Sequence, residues 1–137
     1  MYHPFSRWKL AASYSHLDVH EHLLATAVAG PFNPSETATP RNSWKVQSFL
    51  NLTPSVQLDA LLFTSSAVLS PVYPIDVLVP PHIRLDLRLG WRVSPHFEVS
   101  VSGQDLLNPR HLELAPEAET ILRDAVRGYY LKTTWRF

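Results

Sequence analysis

The chain has no cysteine, four glycines and one methionine among its 137 residues. Without cysteine there is no disulfide framework and no thiolate metal site. No run of about 18 apolar residues occurs, which excludes a membrane-crossing helix. It does not exclude membrane-crossing strands, whose hydrophobicity is hidden in alternation. Charge of either sign is not in excess: the formal net charge is +0. A balanced chain gives no reason to expect nucleic acid as a partner. No serine-histidine-carboxylate set, glycine-rich phosphate loop or catalytic carboxylate pair stands out. Neither an enzyme nor a bound cofactor is therefore expected. The start, MYHPFSRWKL, lacks the apolar core of a signal peptide. For a chain of exported character, this suggests the tail of something longer. Length allows one domain.

What the sequence does have is proline, twelve of them. Proline lacks the N–H that a strand ladder needs. Six proline-free segments remain, at 7–17, 41–52, 56–66, 82–93, 97–107 and 121–137, and each reads as a strand. Side chains alternate across a strand with period two. The segment at 82–93 alternates most cleanly: Ile83, Leu85, Leu87, Leu89 and Trp91 oppose Arg84, Asp86, Arg88, Gly90 and Arg92. The segment at 56–66 alternates worst, because Leu61 and Phe63 share the polar side with Gln57 and Asp59. At the end of the chain, Tyr129, Leu131, Thr133, Trp135 and Phe137 oppose Tyr130, Lys132, Thr134 and Arg136.

The connections alternate in length. Residues 18–40, 67–81 and 108–120 are long loops; 53–55 and 94–96 are tight turns. Residues 116–125 (PEAETILRDA), with Pro and acids early, are compatible with a short helix inside the third long loop. With Phe137 placed at one level, both tight turns fall on that level and all three long loops on the other. This is the arrangement of outer-membrane barrels, with short periplasmic turns and longer extracellular loops. Register agrees: about the turns, Arg92 faces Glu98, Trp91 faces Val99, Asn51 faces Gln57 and Leu50 faces Leu58. Trp8, Trp91, Phe97, Trp135 and Phe137 would form a girdle at the periplasmic level.

The expected fold is thus all-β, an antiparallel meander of about six strands forming the C-terminal portion of a transmembrane β-barrel. A cation on the lipid face at mid-depth costs roughly 2–4 kcal/mol. Arg84, Asp86, Arg88, Arg92, Glu98 and Lys132 are therefore expected to face the lumen. Arg127 shares the alternation of the apolar face, but it lies high enough to reach the outer headgroups. The favoured role for the lumen stripe is a structural ladder of cross-strand ion pairs. His16, Asp18, His20, Glu21 and His22 could bind a metal or metal chelate. Their spacing matches no standard zinc motif, and a polar extracellular loop is the favoured reading.

Residues 79–114, VPPHIRLDLRLGWRVSPHFEVSVSGQDLLNPRHLEL, resemble the end of TonB-dependent receptors. In that family a strand ending Leu-Gly-Trp-Arg precedes a short turn. A Gly-Gln-Asn-Leu-Leu-x-Pro-Arg-His-like motif follows, and a closing strand ends in Trp-x-Phe. Here the motif is Gly103-Gln104-Asp105-Leu106-Leu107-Asn108-Pro109-Arg110-His111, with Asp105 where Asn is usual. The resemblance covers roughly residues 41–137. It implies a plugged barrel of about 22 strands that imports ferric siderophores, haem, cobalamin or a similar ligand. It also implies an assembly signal in Phe137, Trp135, Leu131 and Tyr129, read by the barrel-assembly machinery. Outer-membrane lipid and a small metal-chelate ligand are the expected partners, with TonB engaged only through a missing N-terminal part. The plug and most strands of the family are absent from these residues, so the chain is expected to be a fragment. The alternatives are another outer-membrane barrel, such as an autotransporter translocator or porin-like channel, and a soluble β-sandwich or lipocalin-like module.

Overall fold

A computed structural model describes residues 2–20, 39–72, 75–108, 110–114 and 123–137. Its elements in chain order are β1 (Tyr2–Phe5), β2 (Trp8–His16), β3 (Asn42–Asn51), β4 (Val56–Ser65), β5 (Val68–Val72), β6 (Ile75–Val79), β7 (His82–Ser94), β8 (Phe97–Gln104), β9 (Arg110–Leu114), β10 (Arg123–Val126) and β11 (Gly128–Trp135). Seven form one antiparallel sheet in the order β1-β2-β3-β4-β7-β8-β11. The other four form two separate hairpins, β5-β6 and β9-β10. The fold is all-β, and the six expected strands occur in sequence as neighbours in a meander. A ten-residue strand such as β3 is about 33 Å long, or about 25 Å tall if tilted like a barrel strand.

The turns explain the register. Thr53 Oγ1 accepts the N–H groups of Ser55 and Val56, at 3.1 and 2.9 Å. This closes the turn between β3 and β4 with Asn51 opposite Gln57 and Leu50 opposite Leu58. Between β7 and β8, Ser94 Oγ accepts the N–H of His96 at 3.3 Å. Arg92 lies opposite Glu98 and Trp91 opposite Val99. The tight turns share one edge of the sheet and are tied to their neighbours by backbone bonds. Asn51 N–H donates to Arg7 O, Arg92 N–H to Ser55 O and Arg136 N–H to His96 O, each at 2.8 Å.

Four expectations need correction, and proline accounts for two of them; one of the others is the expected loop at 108–120, which contains β9 (Arg110–Leu114). Residues 2–5 were not expected to form a strand, yet β1 contains Pro4. The loop at 67–81 contains the hairpin β5-β6, with Pro71 opposite Asp76. Both prolines sit in strands with an unpaired side, where the missing N–H leaves no ladder bond unmade. The fourth concerns the closing segment, expected as one strand over 121–137. It breaks at Arg127: β10 pairs with β9, and β11 pairs with β8. Residues 123–125 are strand, so the helix compatible with 116–125 does not reach them. Residues 115–122, like 21–38 of the first loop, lie outside the described residues.

The sheet is a single layer. Among the described residues Val79, at 5% exposure, is the sole buried hydrophobic side chain. Register carries one apolar row across six strands: Trp8, Leu50, Leu58, Leu89, Val101 and Leu131. The next row, on the opposite face, reads Lys9, Phe49, Asp59, Arg88, Ser102 and Tyr130. The apolar face is the open one: Trp44, Ile83, Leu89, Trp91, Val101, Leu131 and Trp135 are all exposed.

Candidate functional site

Every Asp, Glu, Lys and Arg within the six long strands falls on one face. They are Lys9, Lys45, Arg84, Arg88, Arg92 and Lys132 against Asp59, Asp86 and Glu98. The opposite face of these strands holds none. The period-two alternation of each strand, aligned by the two tight turns, makes the segregation complete.

Arg88 is the centre of this face. Its Nη1 donates to Asp59 Oδ2 at 3.0 Å, and its Nη2 donates to Glu98 Oε1. One guanidinium thus joins β4, β7 and β8, as its forked donors allow. Gly90 makes room for it: a Cβ there would meet the Arg88 guanidinium at 3.0 Å. Glu98 Oε2 also lies 3.6 Å from Arg136 Nη2. Higher on β7, Arg84 binds Asp86 through Nε and Nη2, at 3.0 and 2.9 Å. Asp86 Oδ1 in turn accepts the N–H of Asp105 at 2.9 Å.

The expected ladder of cross-strand pairs is only partly formed. Arg88 bridges strands as expected, but Arg84 pairs along its own strand. Arg92 stands opposite Glu98 in register, yet Glu98 is bound to Arg88 and Arg136 instead. Lys132 lies opposite Ser100 and carries no ion pair among the described residues. Arg136 is a member that alternation could have revealed, since it shares its side with Lys132 and Thr134. The role of Gly90 was not legible in the sequence, because its neighbour in space depends on the Arg88 rotamer.

Between these charges lies a cavity of about 170 Å³. Its walls include Gln47, Phe49, Asp59, Leu61, Ser102 and Gln104. Phe49 and Leu61 are apolar residues on the otherwise polar side of β3 and β4.

The Gly103-to-His111 motif forms a corner. Asp105 adopts a left-handed backbone (φ 54°), which Asn and Asp tolerate better than other non-glycine residues. Past that corner, Leu106 N–H donates to Leu85 O at 2.9 Å, and Asn108 Nδ2 donates to Ile83 O at 2.6 Å. Leu106 packs over Gly103, where a Cβ would come within 2.8 Å of its Cδ2. The motif therefore clamps the end of β8 to the start of β7, with the Asp86 carboxylate holding the corner.

On the apolar face, aromatics gather near both ends of the strands. Phe97 and Trp135 lie 5.5 Å apart at the turn end. Tyr14 and Trp44, paired across β2 and β3, lie 4.5 Å apart at the loop end. The second group was missed, although both residues sit one turn of alternation from their strand ends. Tyr129, Leu131 and Trp135 of the expected assembly signal are widely exposed along the unpaired edge of β11, and Phe137 is fully exposed.

Among the described residues the histidines do not converge. His16 Nδ1 contacts Asn42 Oδ1 at 2.9 Å, and His20 Nε2 contacts Asp18 Oδ2 at 3.1 Å. His22 lies outside the described residues. Among the described residues no three His, Asp or Glu side chains are placed to hold a metal. His82 lies against Ser65 and Phe63, and His96 against the Arg136 carbonyl. No protein-family model, curated protein or solved structure matches the chain at a significant level.

Proposed function

We propose that this chain is the C-terminal part of a TonB-dependent outer-membrane receptor, a protein that imports a metal chelate such as a ferric siderophore, haem or cobalamin. The observation that carries the reading is the segregation of the nine strand charges. A water-soluble sheet turns its charges outward and covers its apolar face; here the apolar face is uncovered, while the ion-paired charges of the other face, Asp59, Arg84, Asp86, Arg88 and Glu98, are half-buried. Lipid suits the first face and a polar lumen the second. Aromatics at both ends of the strands suit the two membrane interfaces. The choice of this family over other barrels rests on the resemblance at Gly103–His111 and the closing Trp135-Arg136-Phe137. In this reading outer-membrane lipid surrounds Leu85, Leu87 and Leu89, and the barrel-assembly machinery engages β11. TonB acts only through other parts of the receptor. Ligand import belongs to the whole receptor.

All four tryptophans, Trp8, Trp44, Trp91 and Trp135, lie on the apolar face. Tryptophan emission of the chain mixed with phosphatidylcholine vesicles should therefore shift to the blue. Brominated lipid should quench it strongly and aqueous iodide weakly. Blue-shifted emission and cooperative unfolding in plain buffer, with no bromolipid quenching, would overturn the membrane reading. The receptor assignment is tested in the cells that encode the sequence. An antibody to the chain should detect, in the outer-membrane fraction, a product several times longer than 137 residues, and its loss should lower uptake of radiolabelled iron chelates. Unchanged uptake would leave another type of barrel.

A further inference from the structure

The charged face is not electrically balanced, although the chain is. Six cations oppose three carboxylates on the strands, and the three carboxylates are already engaged. Asp59 is held by Arg88, Glu98 by Arg88 and Arg136, and Asp86 by Arg84. Among the described residues Lys9, Lys45, Arg92 and Lys132 have no ion-pair partner, and all four are exposed. The formal net charge of the whole chain is +0. The surplus is therefore a property of this face and not of a generally basic composition.

Register places three of these four cations near the cavity. Lys9 lies beside Phe49 in the same cross-strand row, one strand away. Lys45 is the same-face neighbour of Gln47, and Lys132 is the same-face neighbour of Tyr130, which stands opposite Ser102. Neighbouring strands are about 4.8 Å apart and same-face neighbours about 7 Å apart. Each of these three cations is thus within one or two steps of the cavity wall. The floor offers amides from Gln47 and Gln104, the Ser102 hydroxyl, and apolar surface from Phe49 and Leu61. The two carboxylates in that floor are each matched by a guanidinium, so the floor is close to neutral and its rim is positive. A cleft rimmed with one sign of charge concentrates solutes of the other sign.

We propose that this face admits small organic polyanions, solutes with two or more carboxylate or similar groups on a compact body. The rim cations attract the anionic groups, while the amides and Phe49 receive the body. The proposal rests on the lumen reading above and names the class of solute that the lumen favours.

The absence of cysteine allows a single spin label at Ser102→Cys in the full chain, folded in phospholipid vesicles. Collision rates of the label would be measured with three soluble or membrane-borne agents: chromium trisoxalate, a trivalent anion; neutral nickel ethylenediaminediacetate; and oxygen. The ratio of anionic to neutral collisions should be about tenfold higher at Ser102→Cys than at Ser55→Cys in the tight turn. It should fall as salt is raised toward 1 M, and fall again in the triple variant Lys9→Gln, Lys45→Gln, Lys132→Gln. Equal ratios at the two positions, or a ratio indifferent to the triple variant, would overturn the proposal. The lumen reading is scored separately by oxygen. A Leu89→Cys label that prefers oxygen, beside a Ser102→Cys label that prefers the nickel complex, retains that reading even if the anion preference fails.

Discussion

Strands β7 and β4 are bonded to each other along ten residue pairs, from Val56 opposite Trp91 to Ser65 opposite His82. They teach different things about how a face is specified. β7 places four charged residues on one side and only apolar residues, from Ile83 to Val93, on the other. Its orientation follows from its own residues. β4 has Asp59 alone, with Leu61 and Phe63 on the same side. Either face of β4 could meet lipid on hydrophobicity alone. Its orientation is imposed by register: Asp59 opposite Arg88 and Leu62 opposite Leu85. One strongly patterned strand thus orients a weakly patterned neighbour, because a slip of one residue would invert every side chain of β4. The freedom left to β4 is what permits Leu61 to line the cavity.

The largest effect should come from placing the same charge on the two strands. Leu89→Lys puts a cation on the apolar face and should destabilise the sheet in a bilayer by about 2–4 kcal/mol, measured by urea unfolding from vesicles. Leu61→Lys puts it on the charged face and should cost less than about 1 kcal/mol. Equal costs would erase the distinction between the faces. Next is the link between the strands. Arg88→Met removes the cation shared by Asp59 and Glu98, whose side chains are only about one-fifth exposed. A loss of about 1–3 kcal/mol is expected from leaving those carboxylates without their donor. A double-mutant cycle with Asp59→Asn should return a coupling of about 0.5–1 kcal/mol. Zero coupling would mean that register alone joins β4 to β7. The smallest effect is expected from Gly90→Ala. The new methyl displaces the flexible end of Arg88, while an alanine suits a strand interior better than glycine. Stability should change by less than about 1 kcal/mol, and the Arg88–Glu98 coupling should weaken in a parallel cycle.

The long strands were legible because each local signal was reinforced by the next. The turn at Thr53-Pro54-Ser55 fixed the register of β3 with β4, and the turn at Ser94-Pro95-His96 did so for β7 with β8. Alternation then assigned the faces without reference to any neighbour but one. Strands β1 and β5 were hidden because a proline in each was read as excluding a strand. That inference holds for interior strands and fails where one side of the ladder is empty. The site was legible as a set but not as a wiring diagram. The sequence places Arg84, Asp86, Arg88, Arg92, Glu98 and Lys132 on one side; which carboxylate each cation takes depends on rotamers and on the space above Gly90. Arg92 loses Glu98 to Arg88 and Arg136 for this reason. The cavity was illegible because Leu61 read only as a break in the alternation of β4.

The two outermost members of the seven-stranded sheet, β1 and β11, run the same way, since each step along β1-β2-β3-β4-β7-β8-β11 reverses direction. Brought together edge to edge, they would pair in parallel. A second copy inserted with the same orientation would not help, because its first strand would meet β11 in that same sense. A ring with reversed neighbours throughout can be completed on this sheet only by an odd number of additional strands. The arithmetic of direction therefore rules out a wholly antiparallel cylinder made from copies of this sheet that all share one orientation, and it constrains any complement before a single contact between them is known.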